Sequence, residues 1–149
     1  MQTYKGLIPE ITLKYKNGEE FKYKITSSKD GYDVFMKFYD QDVFDLTESL
    51  IVLFLNRANN TIGWIKHSQG GTTQTVCDPK LIIATALKCN ASAIMVSHNH
   101  PSGELRPSRE DERITTKLKD ACNYFDITLL DHIIATKHSY YSFSDEGKL

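Results

Sequence analysis

Two short apolar runs most constrain how this chain can fold. Residues 51–55 (IVLFL) and 93–96 (AIMV) contain no polar side chain. A strand with one solvated face alternates apolar and polar residues, whereas a strand covered on both faces is apolar throughout. Both runs are therefore predicted to be central strands of a sheet that has helices on each side.

Helical and strand patterns alternate through the rest of the chain. A helix is predicted over residues 79–89, because Asp78 is a good N-cap and Pro79 suits the first helical position. A second is predicted over residues 109–124, with an inward face formed by Ile114, Leu118, Ala121 and Cys122. Further strands are predicted over residues 61–66, 127–136 and 140–143. The expected class is α/β, with a mixed sheet between helices.

The N-terminal residues predict a hairpin followed by a short helix. Residues 11–15 and 21–25 alternate apolar and polar side chains, and Asn17-Gly18 supplies a turn between them. The helix is predicted over residues 29–39, with Ser28 as its cap and an apolar face formed by Val34, Phe35 and Phe38.

Composition excludes several classes of function. The length of 149 residues fits one domain, and a net charge of -1 gives no general attraction to nucleic acid, so direct nucleic-acid binding is not supported by charge. No apolar stretch is long enough for a membrane helix, and the N-terminus lacks a secretory signal pattern. The three cysteines form no Cys-x-x-Cys pair, which is typical of reduced thiols. We expect a cytoplasmic protein without a membrane partner.

The segment after the second apolar run carries a metal-ligand pattern. His98 and His100 are two residues apart on an extended segment, so their side chains point the same way. Asp111 falls in the first turn of the helix that begins near Ser108. Two histidines and a carboxylate are a ligand set for a catalytic zinc whose fourth position is open to water. Ser108 and Asp111 also fit a helix N-cap signature, which needs no metal.

Hydrolysis at such a site requires a group that takes a proton from water and returns it to the leaving amine. Glu48 is the candidate, because it lies at the start of the first apolar run, an unusual place for a charge. The alternative is a solvated residue at a strand start. Asp131 and His132 either orient a zinc histidine or form a hydrogen-bonded core pair. Asn99 points away from the two histidines and is predicted to be structural.

Taken together, Glu48, His98-x-His100 and Ser108-x-x-Asp111 resemble the JAMM (MPN+) metalloprotease motif. Within that superfamily the chain is similar to the RadC group of bacterial proteins. The resemblance covers roughly residues 40–149 and is carried by residues 98–103 (HNHPSG), 106–108 (RPS), 130–134 (LDHII) and 141–143 (YSF). It implies a cytidine-deaminase-like α/β fold, although the Pro-Cys-x-x-Cys motif of the deaminases themselves is absent from the sequence.

The resemblance also implies roles for the site residues. His98, His100 and Asp111 would bind Zn²⁺, Glu48 would be the general base and acid, and Ser108 would hydrogen-bond the oxyanion. The implied activity is zinc-dependent hydrolysis of a peptide or isopeptide bond in a peptide or protein substrate. The alternatives are a DNA-repair or recombination accessory protein and a non-catalytic MPN-type interaction module.

Two departures from the RadC pattern bear on domain organisation. RadC proteins typically carry an N-terminal helix-hairpin-helix region of the kind that contacts DNA, whereas residues 1–30 here are predicted to form strands. Lys80 stands where the group usually has arginine. We therefore expect residues 1–39 to form a hairpin and short helix, part of or appended to the main domain, and residues 40–149 to form the RadC-like JAB/MPN domain.

Overall fold

The computed structural model describes residues 8–18, 22–70 and 77–149. The helices within these ranges are α1 (Ser28–Phe38), α2 (Pro79–Lys88) and α3 (Arg109–Tyr124). The strands are β1 (Ser49–Leu55), β2 (Thr61–Gln69), β3 (Ala93–Asn99), β4 (Thr128–Ala135) and β5 (Tyr140–Ser142). In this part of the chain no helix is both long and apolar enough to cross a membrane.

The five strands form one mixed sheet in the order β2-β1-β3-β4-β5. β3 and β4 run parallel, while the other neighbouring pairs are antiparallel. Every residue of β1 and of β3 is buried, which confirms that the two apolar runs are central strands covered on both faces. The predicted α/β class with a mixed sheet between helices is therefore confirmed.

Each face of the sheet has its own hydrophobic core. On one face, Val52 and Val96 share a cluster with Ile82 of α2 and Leu118 of α3. On the other face, Ile51, Leu53 and Met95 share a cluster with Val34 and Phe35 of α1. Fully burying one such side chain stabilises the fold by roughly 1.5–3 kcal/mol, so both helical layers hold the sheet in place.

Helix boundaries follow local capping chemistry, with one correction at α1. Asp78 and Ser108 cap α2 and α3 as predicted. The cap of α1 is Ser27 and not Ser28, because a capping box needs an acid three residues after the cap. Asp30 stands at that distance from Ser27, whereas a cap at Ser28 would place Gly31 there. The inward face of α3 contains buried Leu118 and Cys122 as predicted, and also buried Thr115, while Ile114 and Ala121 are half-buried.

The prediction of an N-terminal hairpin is wrong where the structure describes it. Residues 11–18 form no strand, and within residues 22–25 only Lys24 makes a β-bridge, to Asn60. Residues 19–21 lie outside the described ranges. Alternation favours a strand when one face is buried, but Ile11 and Leu13 are 87% and 78% exposed. Without an apolar surface to cover, the pattern does not produce a strand.

Candidate metal centre

Three separate segments bring the predicted site residues together. His98 lies near the end of β3 and His100 directly follows the strand, while Asp111 lies in the first turn of α3. Glu48 directly precedes β1. Because β1 and β3 are antiparallel with Leu50 opposite His98, the start of β1 lies beside the end of β3. This register places Glu48 next to the two histidines.

The ligand atoms of Glu48, His98, His100 and Asp111 all lie within 4.8 Å of one another. The two histidine Nε2 atoms are 2.9 Å apart. Asp111 Oδ1 is 3.2 Å from His98 Nε2, and Asp111 Oδ2 is 3.5 Å from His100 Nε2. Two ligand atoms in a tetrahedral zinc site, each about 2.0–2.1 Å from the metal, lie about 3.3 Å from each other. The separations are therefore those of a metal-binding cluster.

Glu48 stands slightly farther from the histidines than Asp111 does. Its Oε1 is 3.6 Å from His98 Nε2 and 3.9 Å from His100 Nε2. The side chain of His98 is buried at 3% exposure, while those of Glu48, His100 and Asp111 are 13–15% exposed. One side of the cluster is thus closed by protein and the other can be reached from solvent.

The chemistry of the donor set also fits a divalent cation. Nδ1 of His100 is 2.6 Å from the carbonyl oxygen of Glu104, which can only accept, so Nδ1 carries the proton in a neutral ring. The Nε2 of that ring then presents a lone pair to two carboxylates. Such a convergence of acceptors is unfavourable unless a cation lies among them. Imidazole nitrogen and carboxylate oxygen together suit zinc and similar transition metals.

Protonation of the metal-free cluster reflects the same electrostatics. Burial lowers the pKa of His100, but the hydrogen bond to Asp111 and the one to the Glu104 carbonyl outweigh it, so that the pKa is raised overall. Burial raises the pKa of Asp111, but hydrogen bonds from His100 and His98 outweigh it and hold the pKa well below its usual range. In the metal-free cluster the nearby carboxylates therefore favour the protonated, positively charged form of His100.

Of the pair Asp131-His132, only His132 touches the cluster. Its Nε2 lies 2.7 Å from His98 Nδ1, and its ring stacks on Phe143 at a centroid distance of 4.8 Å. Burial, and then the nearby His98, lower its pKa well below the usual value, so the ring is neutral. The Asp131 carboxylate instead accepts hydrogen bonds from Ser142 Oγ and from the backbone N–H of Ser144.

Asn99 connects the segment before β1 to β3, and the prediction that it is structural agrees with its contacts. Its Oδ1 accepts a 2.8 Å hydrogen bond from the backbone N–H of Ser49. Its amide nitrogen donates to the carbonyls of Phe44 and Thr47, at 2.8 and 2.9 Å. The residue between the two histidines therefore anchors the segment that carries Glu48. The sequence signal for this role was only the alternation of side chains along β3.

Ser108 caps α3 and holds Asp111 at the same time. Ser108 Oγ accepts from the backbone N–H of Asp111 at 3.0 Å, and the backbone N–H of Ser108 donates to Asp111 Oδ2 at 2.7 Å. This reciprocal capping box orients the carboxylate that faces His98 and His100. The cap interpretation and the metal-site interpretation of these two residues are thus compatible.

Comparison with known proteins identifies the family to which the chain is similar. The family model of the RadC-like JAB domain matches residues 25–148, which include every helix and strand of the structure. A UPF0758 protein of Flavobacterium johnsoniae is 42% identical over 124 residues, which cover 83% of this chain and 53% of that protein. UPF0758 proteins of Aquifex aeolicus and Thermotoga maritima are 36% and 33% identical, over 94% and 97% of this chain. These two alignments cover 58% and 67% of the relatives.

The chain spans about half the length of the first curated relatives that it matches. The family match itself covers most of the chain and contains Glu48, His98, His100, Ser108 and Asp111. It also agrees with the mixed five-stranded sheet flanked by helices. The chain therefore belongs to the RadC-like JAB domain family.

Proposed function

We propose that this chain is a zinc-dependent metallohydrolase of the JAMM type that cleaves a peptide or isopeptide bond. The observation that supports the proposal is the convergence of Glu48, His98, His100 and Asp111 from three segments of the chain within 4.8 Å. In this assignment His98, His100 and Asp111 hold the metal. When bound, zinc would polarise the scissile carbonyl and lower the pKa of a coordinated water.

Glu48 acts as the general base and then as the general acid. Its carboxylate lies at the edge of the cluster, 3.6 and 3.9 Å from the two histidine Nε2 atoms, with its side chain 15% exposed. A water molecule held beside the histidines would be within reach of Glu48 Oε1. The carboxylate takes a proton from this water as the water oxygen forms a bond to the scissile carbonyl carbon. It then donates that proton to the nitrogen of the departing amine as the C–N bond breaks.

Ser108 stabilises the negative charge that develops on the carbonyl oxygen. Its Oγ lone pair is engaged by the Asp111 N–H, whereas its own hydroxyl proton is donated to no acceptor among the described residues. The exposed side chain can therefore cap α3 and donate a hydrogen bond to substrate simultaneously. A donor aimed at an oxyanion usually contributes about 10²–10³ in rate.

The first experiment measures metal content by elemental analysis of the purified wild type, His98→Ala and Glu48→Gln. We expect about one zinc per chain in the wild type and in Glu48→Gln, and loss of zinc in His98→Ala. His138→Ala is the matched control, because His138 is an exposed histidine outside the cluster. It should retain the metal.

Zinc-loaded proteins are then incubated with a library of linear and lysine-isopeptide-linked peptides, and newly released amines are detected. Glu48→Gln should lose about 10²–10⁴ in turnover while it keeps zinc. Wild-type protein that binds zinc but releases no amine would favour the non-catalytic MPN-type module. Wild-type protein that binds no zinc when it is supplied would contradict the proposal.

A further inference from the structure

A chain of short hydrogen bonds runs from His98 away from the metal cluster into the core. His98 Nδ1 lies 2.7 Å from His132 Nε2, and His132 Nδ1 lies 2.6 Å from Thr115 Oγ1. Thr115 Oγ1 in turn lies 2.6 Å from the backbone carbonyl oxygen of Asp111. The three side chains come from β3, β4 and α3, and none is more than 3% exposed. Water therefore does not compete for these contacts.

The Asp111 carbonyl, at the far end of this series of hydrogen bonds, determines the direction of each of them. The carbonyl of Asp111 can only accept, and Thr115 has a single hydroxyl proton, so Thr115 donates to the carbonyl. Its oxygen must then accept from Nδ1 of His132. The neutral ring of His132 has one proton, so its Nε2 has none and accepts from Nδ1–H of His98.

We propose that His132 and Thr115 are positioning residues that keep the proton of His98 on Nδ1, so that the Nε2 lone pair faces the metal cluster. The hydrogen-bond direction follows from the described contacts and from the neutral state of the His132 ring, which is 1% exposed and has no carboxylate partner among them. Its consequence for metal affinity rests on the proposed function. Outer partners of this kind commonly change metal affinity by about 10–100-fold when they are removed.

Comparison of His98 with His100 explains why His98 needs two partner residues, His132 and Thr115, to fix its tautomer. His100 Nδ1 donates directly to the carbonyl of Glu104, and a carbonyl can only accept. The partner of His98 is another histidine, which can either donate or accept. Thr115 removes this ambiguity by fixing the tautomer of His132. Asp111 therefore contributes twice, because its carboxylate faces His98 while its carbonyl ends the hydrogen-bond chain.

Two matched pairs of variants test the proposal. His132→Phe keeps a flat ring against Phe143 but removes the acceptor, whereas His132→Gln keeps an acceptor that reaches His98 Nδ1. Thr115→Val keeps the shape of the side chain but removes the hydroxyl, whereas Thr115→Ser keeps the hydroxyl. Thr116→Val is the control, because Thr116 makes the same bond to the carbonyl four residues earlier, at 3.1 Å, but is exposed to solvent.

The tautomers are read directly in the metal-free wild type by long-range ¹H–¹⁵N correlation NMR of the imidazole rings at about pH 9. We expect a proton on Nδ1 of His98 and on Nδ1 of His132, and none on Nε2 of His132. A proton on Nε2 of His132, or a bare Nδ1 on His98, would overturn the proposal whatever the protein does with metal. This measurement needs no variant, so a variant that fails to fold does not affect it.

The affinity for Zn²⁺ is then measured by competition with a chromophoric chelator, with the absorption spectrum of the Co²⁺-loaded protein as a second signal. His132→Phe and Thr115→Val should weaken Zn²⁺ binding by about 10–100-fold, while His132→Gln and Thr115→Ser recover most of it. Thr116→Val should match the wild type. Folded His132→Phe with wild-type affinity and an unchanged Co²⁺ spectrum would contradict the positioning role.

The two proposals fail separately. If the wild type shows the expected tautomers but binds no Zn²⁺, the proposed function fails and the hydrogen-bond direction is supported. If it binds Zn²⁺ but shows the opposite tautomer of His132, the metal site is supported and the positioning role is overturned.

Discussion

The side-chain oxygen of Asn99 accepts a 2.8 Å hydrogen bond from the backbone N–H of Ser49, the residue that follows Glu48. Asn99 is buried, and its amide also donates to two carbonyls in the segment that leads to Glu48. Because its neighbours on either side are His98 and His100, one residue connects the proposed general base to the proposed metal ligands.

Replacement of Asn99 by alanine should destabilise the protein and misplace Glu48. The change leaves one buried N–H and two carbonyls without partners, so we expect the free energy of unfolding to fall by about 3 kcal/mol in urea denaturation. Zinc content should persist, because none of the three proposed ligands is removed, while turnover falls. Asn123→Ala, at an exposed position of α3, should stay within about 0.5 kcal/mol of the wild type. An equally small effect of Asn99→Ala would refute the anchoring role.

Substitutions at Ser108 should separate its capping role from its proposed role in the reaction. Ser108→Ala removes the acceptor for the Asp111 N–H and should cost about 1 kcal/mol of stability in addition to activity. Ser108→Asp caps a helix as well as serine does, but its ionised carboxylate has no proton to donate to an oxyanion. We expect this variant to restore stability and not turnover. Recovery of both in Ser108→Asp would show that the cap alone is required.

Asp131 should make stability depend on pH in a direction opposite to that of a salt-bridged acid. Burial raises its pKa, although hydrogen bonds from Ser142 and from backbone N–H groups oppose the shift. An acid with a raised pKa in the folded state stabilises the fold below its unfolded pKa, and this contribution is lost as pH rises through the folded value. The benefit is therefore largest at low pH and declines toward neutral pH.

The matched variant is Asp131→Asn. Its oxygen can still accept from the backbone N–H groups of His132 and Ser144, and its amide can donate to Ser142 Oγ. Unfolding free energies of both proteins at pH 4 and pH 7 give the comparison. We expect Asp131→Asn to gain stability relative to the wild type as pH rises between these values. A difference that does not change with pH would contradict the raised pKa.

The thiols of Cys77 and Cys122 should be poor nucleophiles in the folded protein. Burial raises the pKa of Cys122 to about 11. Burial, and then the charge of Asp78, raise the pKa of Cys77 to about 11. Only a small fraction of either thiol is therefore ionised near neutral pH, and Cys122 is in addition fully buried. Alkylation by iodoacetamide at pH 7.5, followed by mass spectrometry, should be slow for the native protein and rapid in urea. Native Cys122 that reacts as fast as the unfolded thiol would disprove this.

Local patterns in the sequence were sufficient to predict the helices, strands and side-chain directions that depend on neighbouring residues. The apolar runs predicted β1 and β3, and Ser108 followed by Asp111 predicted the start of α3. The spacing of His98 and His100 predicted that their side chains point in the same direction, and their Nε2 atoms lie 2.9 Å apart. These features are set by helix caps and by strand alternation, which act over a few residues. At residues 11–15 the alternating side chains have no apolar surface to cover, and the strand predicted there was wrong.

Only the tertiary structure decided which distant residues meet. Glu48 is 50 positions from His98, and nothing near either residue specifies their contact; the antiparallel register of β1 on β3 does so. Likewise, the face of β4 that turns toward α3 decides that His132, and not Asp131, contacts His98. A shift of one residue in either register would reverse the faces of the strand. The ligand types were thus encoded locally, while their convergence came from sheet pairing and from burial on both faces.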